Sequence, residues 1–239
     1  MCQILAMKHL LLLLPILFVL SSCHVITGSG NIISDKRITG DFTGISVGGD
    51  FQVELSTGSA TEVTVEADDN VMPYIETRVS SGVLKIRTKN LHSYSNVHMK
   101  IYITAPDITD INVSASADLI AKDILKSDRS ISFHASSSGT ITAEVEAPEV
   151  ANSASSAATI KITGKTKSYT ADASSGADLK AADLLSENTN VTVSSGASAH
   201  VYASINLTAN ASSGGNISYR GGANVQKTSS SGGSVNRSE

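Results

Sequence analysis

Gly44-Ile45-Ser46-Val47-Gly48 has the spacing of a nucleophile elbow, in which a serine is exposed on a sharp turn between a strand and a helix for acyl transfer. Here Ile45 and Val47 alternate as in a strand, and a second alternating stretch, Phe51, Val53 and Leu55, stands where the helix should begin. Ser46 is therefore expected inside a strand, with no catalytic role. Gly28-Ser29-Gly30 opens like a dinucleotide fingerprint, but Ile33 occupies the third glycine position and no strand precedes it. The histidines after the first 22 residues are His24, His92, His98, His134 and His200, and no two of them share metal-ligand spacing on one element. Glu66-Ala67-Asp68-Asp69-Asn70 offers oxygens to a calcium ion but lacks the alternating ligands of a calcium loop, so it reads as a solvated turn. No metal and no cofactor is expected.

Paired carboxylates would be the chemistry of a polysaccharide-cleaving enzyme, which needs them within about 5–10 Å of each other. Asp118 and Asp178 fall at equivalent points of a repeat, but three repeats apart, about 14 Å at strand spacing. The chain has no Trp for sugar stacking. No catalytic residue is expected, and the chain reads as a non-enzyme.

Cys23 is the residue with a definite chemical expectation. Residues Met7 to Cys23 read MKHLLLLLPILFVLSSC, with Lys8 as the one basic residue and an apolar run from Leu10 to Leu20. That run is shorter than the roughly 20 residues a bilayer-spanning helix needs, and fits the core of a signal peptide. Leu20-Ser21-Ser22-Cys23 resembles the bacterial lipobox, whose cysteine is acylated on sulfur and becomes the first mature residue. The only other cysteine, Cys2, lies in the segment that cleavage removes, so no internal disulfide can form. Acyl chains stabilise membrane attachment by about 0.8 kcal/mol per buried CH₂. His24, in place of Asp, directs such a protein to the outer membrane by enterobacterial sorting logic, facing the periplasm or the surface. Met1 and Met7 both remain candidate starts.

The elements that position these residues are strands. Of 239 residues, 41% are hydrophobic, 17% charged and 4% aromatic, which is too apolar for a disordered chain. The net charge of −4, without a basic stripe, excludes nucleic acid as a partner. Apolar residues alternate at Val63 and Val65 and at Val97, Met99, Ile101 and Ile103, with turn signals at Gly48-Gly49-Asp50 and Ser80-Ser81-Gly82.

From residue 113 the alternation becomes a repeat. A small-residue corner is followed by an apolar anchor at Leu119, Ile141, Ile160, Leu179, Ala199, Ile217 and Val235, with spacings of 22, 19, 19, 20, 18 and 18 residues. Such a period marks a solenoid. Ser, Thr and Val disfavour helices and the Leu and Asn positions of leucine-rich repeats are missing, so each coil must consist of short strands stacked in parallel. About ten coils are expected between residue 31 and the end.

The layout resembles the auto-transporter adhesin family called the head GIN domain, found in many lipoproteins of Bacteroidota. The resemblance is carried by Gly40-Asp41-Phe42-Thr43-Gly44-Ile45-Ser46-Val47, Gly82-Val83-Leu84-Lys85-Ile86, Ile101-Tyr102-Ile103-Thr104-Ala105-Pro106, the Ser-Ser-Gly coils and Ile217-Ser218-Tyr219-Arg220-Gly221. It implies an all-β, right-handed parallel β-helix of the pectin-lyase-like kind, about 20 residues per coil, and brings no catalytic residues. The corners Ala115-Ser116-Ala117 and Ser156-Ala157-Ala158 lack the usual glycine.

The expected organisation is a lipoprotein signal peptide over 1–22, a lipidated tether over 23–30 and a solenoid over 31–239, less regular over 31–106 and regular over 107–239. The expected function is a lipid-anchored cell-envelope solenoid that acts as a non-catalytic binding or adhesion module for a glycan or protein. An envelope structural protein without a specific ligand is the alternative, ahead of a polysaccharide-acting β-helix enzyme.

Overall fold

A computed structural model of the chain describes residues 25–89 and 93–238. The signal segment 1–22, Cys23, His24 and His92 lie outside the described residues. From Asp110 onward the chain is a β-solenoid of about 6 turns with about 20 residues per coil, and Gly44–Gly48 with Gln52–Thr57 adds one further rung. Among the described residues no helix is long and apolar enough to cross a membrane.

Each coil lays one strand on each of two main faces. The first face stacks Gly44–Gly48, Asp110–Ser114, Ile131–Ala135, 150–154, 168–173, 188–193, Asn206–Ala211 and Asn224–Ser229 in parallel. The second stacks Gln52–Thr57, Asp118–Ala121, 140–145, 159–164, Asp178–Ala181, Ser198–Tyr202, Asn216–Arg220 and Ser234–Arg237. A short third face closes the coil through Leu125–Lys126, 145–146, 164–166 and 184–186.

Alternation places every second residue inside, and stacking puts like positions in register. The seven anchors form one continuous ladder, Leu119, Ile141, Ile160, Leu179, Ala199, Ile217 and Val235, extended below Leu119 by Val53 and Ile101. All of them are buried, at 5% exposure or less.

The corners between the two main faces explain the serines and glycines. At Ser175-Gly176, for example, φ is +52° and +73°, a consecutive left-handed pair, and the Ala177 N–H donates back to the Ser174 carbonyl at 3.2 Å. Such a pair makes a tight primed turn. Each corner also bonds its neighbour: Ser116, Ser138, Ala157, Gly176, Gly196 and Gly214 donate their N–H groups to the carbonyls of Ser137, Ser156, Ser175, Ser195, Ser213 and Ser231 at 3.0–3.1 Å. Where glycine is absent the conformation persists, with Ser116 at φ +66° and Ala157 at +61°.

The N-terminal part departs from the expected run of about ten consecutive coils. Strands Val83–Thr88 and Met99–Ala105 pair in parallel beneath Gly44–Gly48 and Gln52–Thr57, so residues 44–57 form a rung between later parts of the chain. Three pairings there are antiparallel, Ile32–Arg37 on Glu62–Asp68, Glu62–Asp68 on Met99–Ala105, and Ile75–Ser80 on Val83–Thr88, while the short strands Val25–Thr27 and Ser93–Ser95 pair in parallel apart from the main sheet. Antiparallel neighbours need only short connections, which lets Glu62–Asp68 and Ile75–Ser80 double back and cover one end of the stack. Counted along the second face, Ile32–Arg37 to Ser234–Arg237 makes a rod about 50 Å long.

Candidate functional site

The third face is where successive coils differ in length, and there the outer surface sinks into a groove. Pro148 lacks an N–H, and the ladder between neighbouring coils pairs Ala147 with Thr166 and Glu149 with Ser168, omitting Pro148 and Lys167 between them. The buried Thr166 hydroxyl lies within hydrogen-bond distance of the carbonyls of Pro148 (3.2 Å) and Ser168 (3.0 Å). Gly164, at φ +113°, bends the strand where a Cβ would stand 2.0 Å from the Val145 carbonyl oxygen. One coil further, the Thr189 hydroxyl donates to the Tyr202 carbonyl at 2.7 Å and shares a 2.6 Å contact with the Ser186 hydroxyl. These bonds fix the groove wall from inside.

The groove has a volume of about 620 Å³ and crosses five coils, from Ser127 to Ser204. Ala147, Pro148, Leu185 and Tyr202 give it apolar surface. Leu185 is 50% exposed there, although its neighbour Leu184 is fully buried. Lys165, Lys167, Glu187 and Asp128 supply charge. Glu146 is ion-paired with Lys126 at 3.2 Å, whereas Lys165 and Lys167 have no ion pair among the described residues. An open trough of this kind suits an elongated ligand lying along the rod, held by apolar contact and by ionic groups at its sides.

The residues singled out in the sequence are dispersed. Ser46 sits mid-strand, opposite Lys85 and Asn112 on its two neighbours, and not on a turn before a helix. Asp118 and Asp178 stand in one outward column three strands apart, separated by Thr140 and Thr159. Partial burial raises the Asp118 carboxyl above its ordinary value, and Asp178 accepts a bond from the Ser198 hydroxyl at 3.2 Å. His98 contacts Glu66 at 2.7 Å and His134 approaches Asp110 at 3.7 Å, while His200 lies opposite Lys180 and Ser218. Among the described residues no group of three His, Cys, Asp or Glu side chains could hold a metal.

The acidic stretch 66–70 grips the N-terminal segment. The buried Asp68 carboxylate accepts the Gly30 and His98 N–H groups, both at 2.7 Å. Asp69 accepts from the Ser29 hydroxyl (2.6 Å) and the Asn31 side chain (2.8 Å), bonds that lower its pKa. Asn70 bonds the Ser29 N–H and the Thr27 carbonyl. The Gly28-Ser29-Gly30 stretch expected as tether is therefore fastened to the domain, and Val25–Thr27 is already a strand paired with Ser93–Ser95.

Residues 41–223 match the family model described as "Putative auto-transporter adhesin, head GIN domain". The chain belongs to the head GIN domain family. Solved structures with this fold include a putative lipid binding protein of Parabacteroides distasonis, 21% identical with a TM-score of 0.74, covering 90% of this chain and 100% of that one. A putative adhesin of Bacteroides fragilis is 16% identical with a TM-score of 0.80, over 89% of this chain and 98% of that one. A putative adhesin of Parabacteroides merdae is 19% identical at 0.72, over 90% and 100%. No curated protein matches the sequence.

Within this head GIN solenoid, sequence reasoning missed Lys165, Lys167, Leu185 and Tyr202. One signal was available: in Leu184-Leu185 two large apolar residues follow each other in an alternating strand, so one of them must face outward.

Proposed function

We propose that this protein is a lipid-anchored, non-catalytic binding module of the cell envelope. The anchor is an acylated Cys23 in the outer membrane, and the ligand-holding surface is the third-face groove. The observation that carries the reading is the groove itself, a trough across five coils with apolar surface and two lysines that have no ion pair among the described residues. A wall fixed by buried Thr166, Ser186 and Thr189 hydroxyls is preorganised, which favours many weak contacts along an extended glycan or protein segment. The adhesin description of the family and the adhesin and lipid-binding descriptions of the solved structures agree with a binding role.

Lys165→Glu combined with Lys167→Glu tests the groove, because both side chains are exposed and their loss leaves the ladders intact. On an array of neutral and acidic oligosaccharides and outer-membrane proteins, the parent is expected to retain at least one probe that the double variant releases. Equal retention by parent and variant would remove the groove as the binding surface. A parent that retains nothing would leave the envelope structural role.

A further inference from the structure

We infer that the N-terminal end of the solenoid rests directly on the bilayer, with Val25, Ile32, Ile33 and Ile38 in contact with the lipid surface. This rests on the reading of Cys23 as the lipid-bearing residue.

The first ground is the length of free chain. Val25 begins a strand paired residue for residue with Ser93–Ser95, and the Gly28 N–H continues the pairing to the Ser95 carbonyl at 3.2 Å. Residues 29–31 are then held by Asp68, Asp69 and Asn70. The path is closely packed, since a Cβ on Gly28 would meet the Asn96 carbonyl at 2.4 Å and the Asp68 carboxylate at 2.6 Å. Two peptide steps separate Cys23 from Val25, a reach of at most about 7 Å. An acylated Cys23 lies at the bilayer interface, so the folded domain begins within the headgroup layer, with no tether to lift it away.

The second ground is the distribution of apolar surface. Nine large hydrophobic side chains are exposed among the described residues, and four of them, Val25 (52%), Ile32 (50%), Ile33 (39%) and Ile38 (103%), fall within residues 25–38. A random scatter would not concentrate them in the segment that follows the anchor. Ile32 and Ile33 lie on the strand Ile32–Arg37, which among the described residues has a partner on one side only and is the outermost strand at this end of the second face. Its charges are paired: Lys36 with Glu62 at 3.0 Å and Arg37 with Asp35 at 3.3 Å. The surface therefore offers aliphatic contact without lone charges on this strand to desolvate. The expected occupant is the apolar interface of a bilayer, with little dependence on anionic lipid. The groove then begins about four strands further up the stack, about 19 Å from this edge.

The test uses the full chain, processed in a lipoprotein-competent host, extracted and reconstituted into phosphatidylcholine vesicles that carry a shallow nitroxide-labelled lipid. An environment-sensitive fluorophore is attached through Ile32→Cys or Ile38→Cys, and for comparison through Leu185→Cys in the groove or Ser231→Cys at the far end. All four residues are exposed, so the fold tolerates the labels. Quenching about three-fold or more stronger at positions 32 and 38 than at 185 and 231 is the expected result. Vesicle-bound protein with equal quenching at all four positions would overturn the inference while leaving the anchor intact, and strongest quenching at 185 would mean that the groove itself faces the lipid. Protein that stays off the vesicles whether or not it carries Cys23→Ser would overturn the anchor reading and the inference together.

Discussion

Glycines at positive φ make the sharpest demands on residue type, more where a neighbouring strand is close than at the corners. Gly176 has φ +73° with open space where a Cβ would go, so Gly176→Ala is opposed by backbone strain alone. A loss of about 1 kcal/mol is expected, a drop of about 2–4 °C in Tm for a domain of this size. Gly164→Ala should cost more than twice that, because its Cβ would meet the Val145 carbonyl as well. Ala157→Gly relieves φ +61° and is expected to be neutral or stabilising by up to about 1 kcal/mol. Urea unfolding of the three variants checks the order.

A second demand lies inside. Asn152 occupies an inward ladder position between Phe133 and Ala171, bonds the Tyr169 hydroxyl at 2.9 Å, and leaves its Oδ1 buried without a partner among the described residues. Asn152→Leu alone strands the tyrosine hydroxyl and should destabilise by about 1–3 kcal/mol, whereas adding Tyr169→Phe should recover most of that loss. Burial also pushes the Tyr169 hydroxyl above its ordinary pKa. The unfolded chain then releases this proton first, so stability is intact below about pH 10 and falls as pH rises beyond it. Tyr169→Phe should flatten that fall in unfolding measurements between pH 9 and 11.

At the scale of elements, the last rung closes the solenoid with charge. The strand Asn224–Ser229 is exposed throughout, and in the column running through Val191 and Ala209 it places Lys227, whose ammonium approaches the Val235 carbonyl at 3.5 Å. An inward lysine on an edge strand opposes the addition of another parallel strand. Lys227→Val should therefore increase end-to-end association, seen as a rise in mass by sedimentation velocity, and an unchanged mass would refute this role.

The seven anchors were legible as elements because each coil repeats both the corner and the inward residue. The strands before residue 106 were legible as strands but not in their pairing, because alternation looks the same in parallel and antiparallel neighbours and no repeat fixed the partner. Placing residues 44–57 between later strands left no local trace. The groove was hidden for a related reason: Lys165, Pro148, Leu185 and Tyr202 come from different coils, and their meeting depends on small differences in coil length. Asp68, Asp69 and Asn70 could be recognised as a polar cluster, but their partners lie about 40 residues earlier, near Ser29.

The whole molecule combines a rod about 50 Å long, closed at one end by antiparallel strands and at the other by Lys227, with a groove on its side. In the proposed setting Cys23 is the only covalent hold on the membrane. Cys23→Ser should shift the protein from the membrane fraction to the soluble fraction with its circular dichroism unchanged, and mass spectrometry of the parent should find the acylated N-terminal peptide. A binding module must also meet its ligand, and Lys165 and Lys167 are exposed amines beside the groove. The most direct measurement is labelling of intact cells with a membrane-impermeant amine-reactive biotin, followed by mapping of the labelled lysines. The adhesive role predicts modification of Lys165 and Lys167 in intact cells to the same extent as after permeabilisation. Modification only after permeabilisation would place the solenoid inside the outer membrane and contradict adhesion.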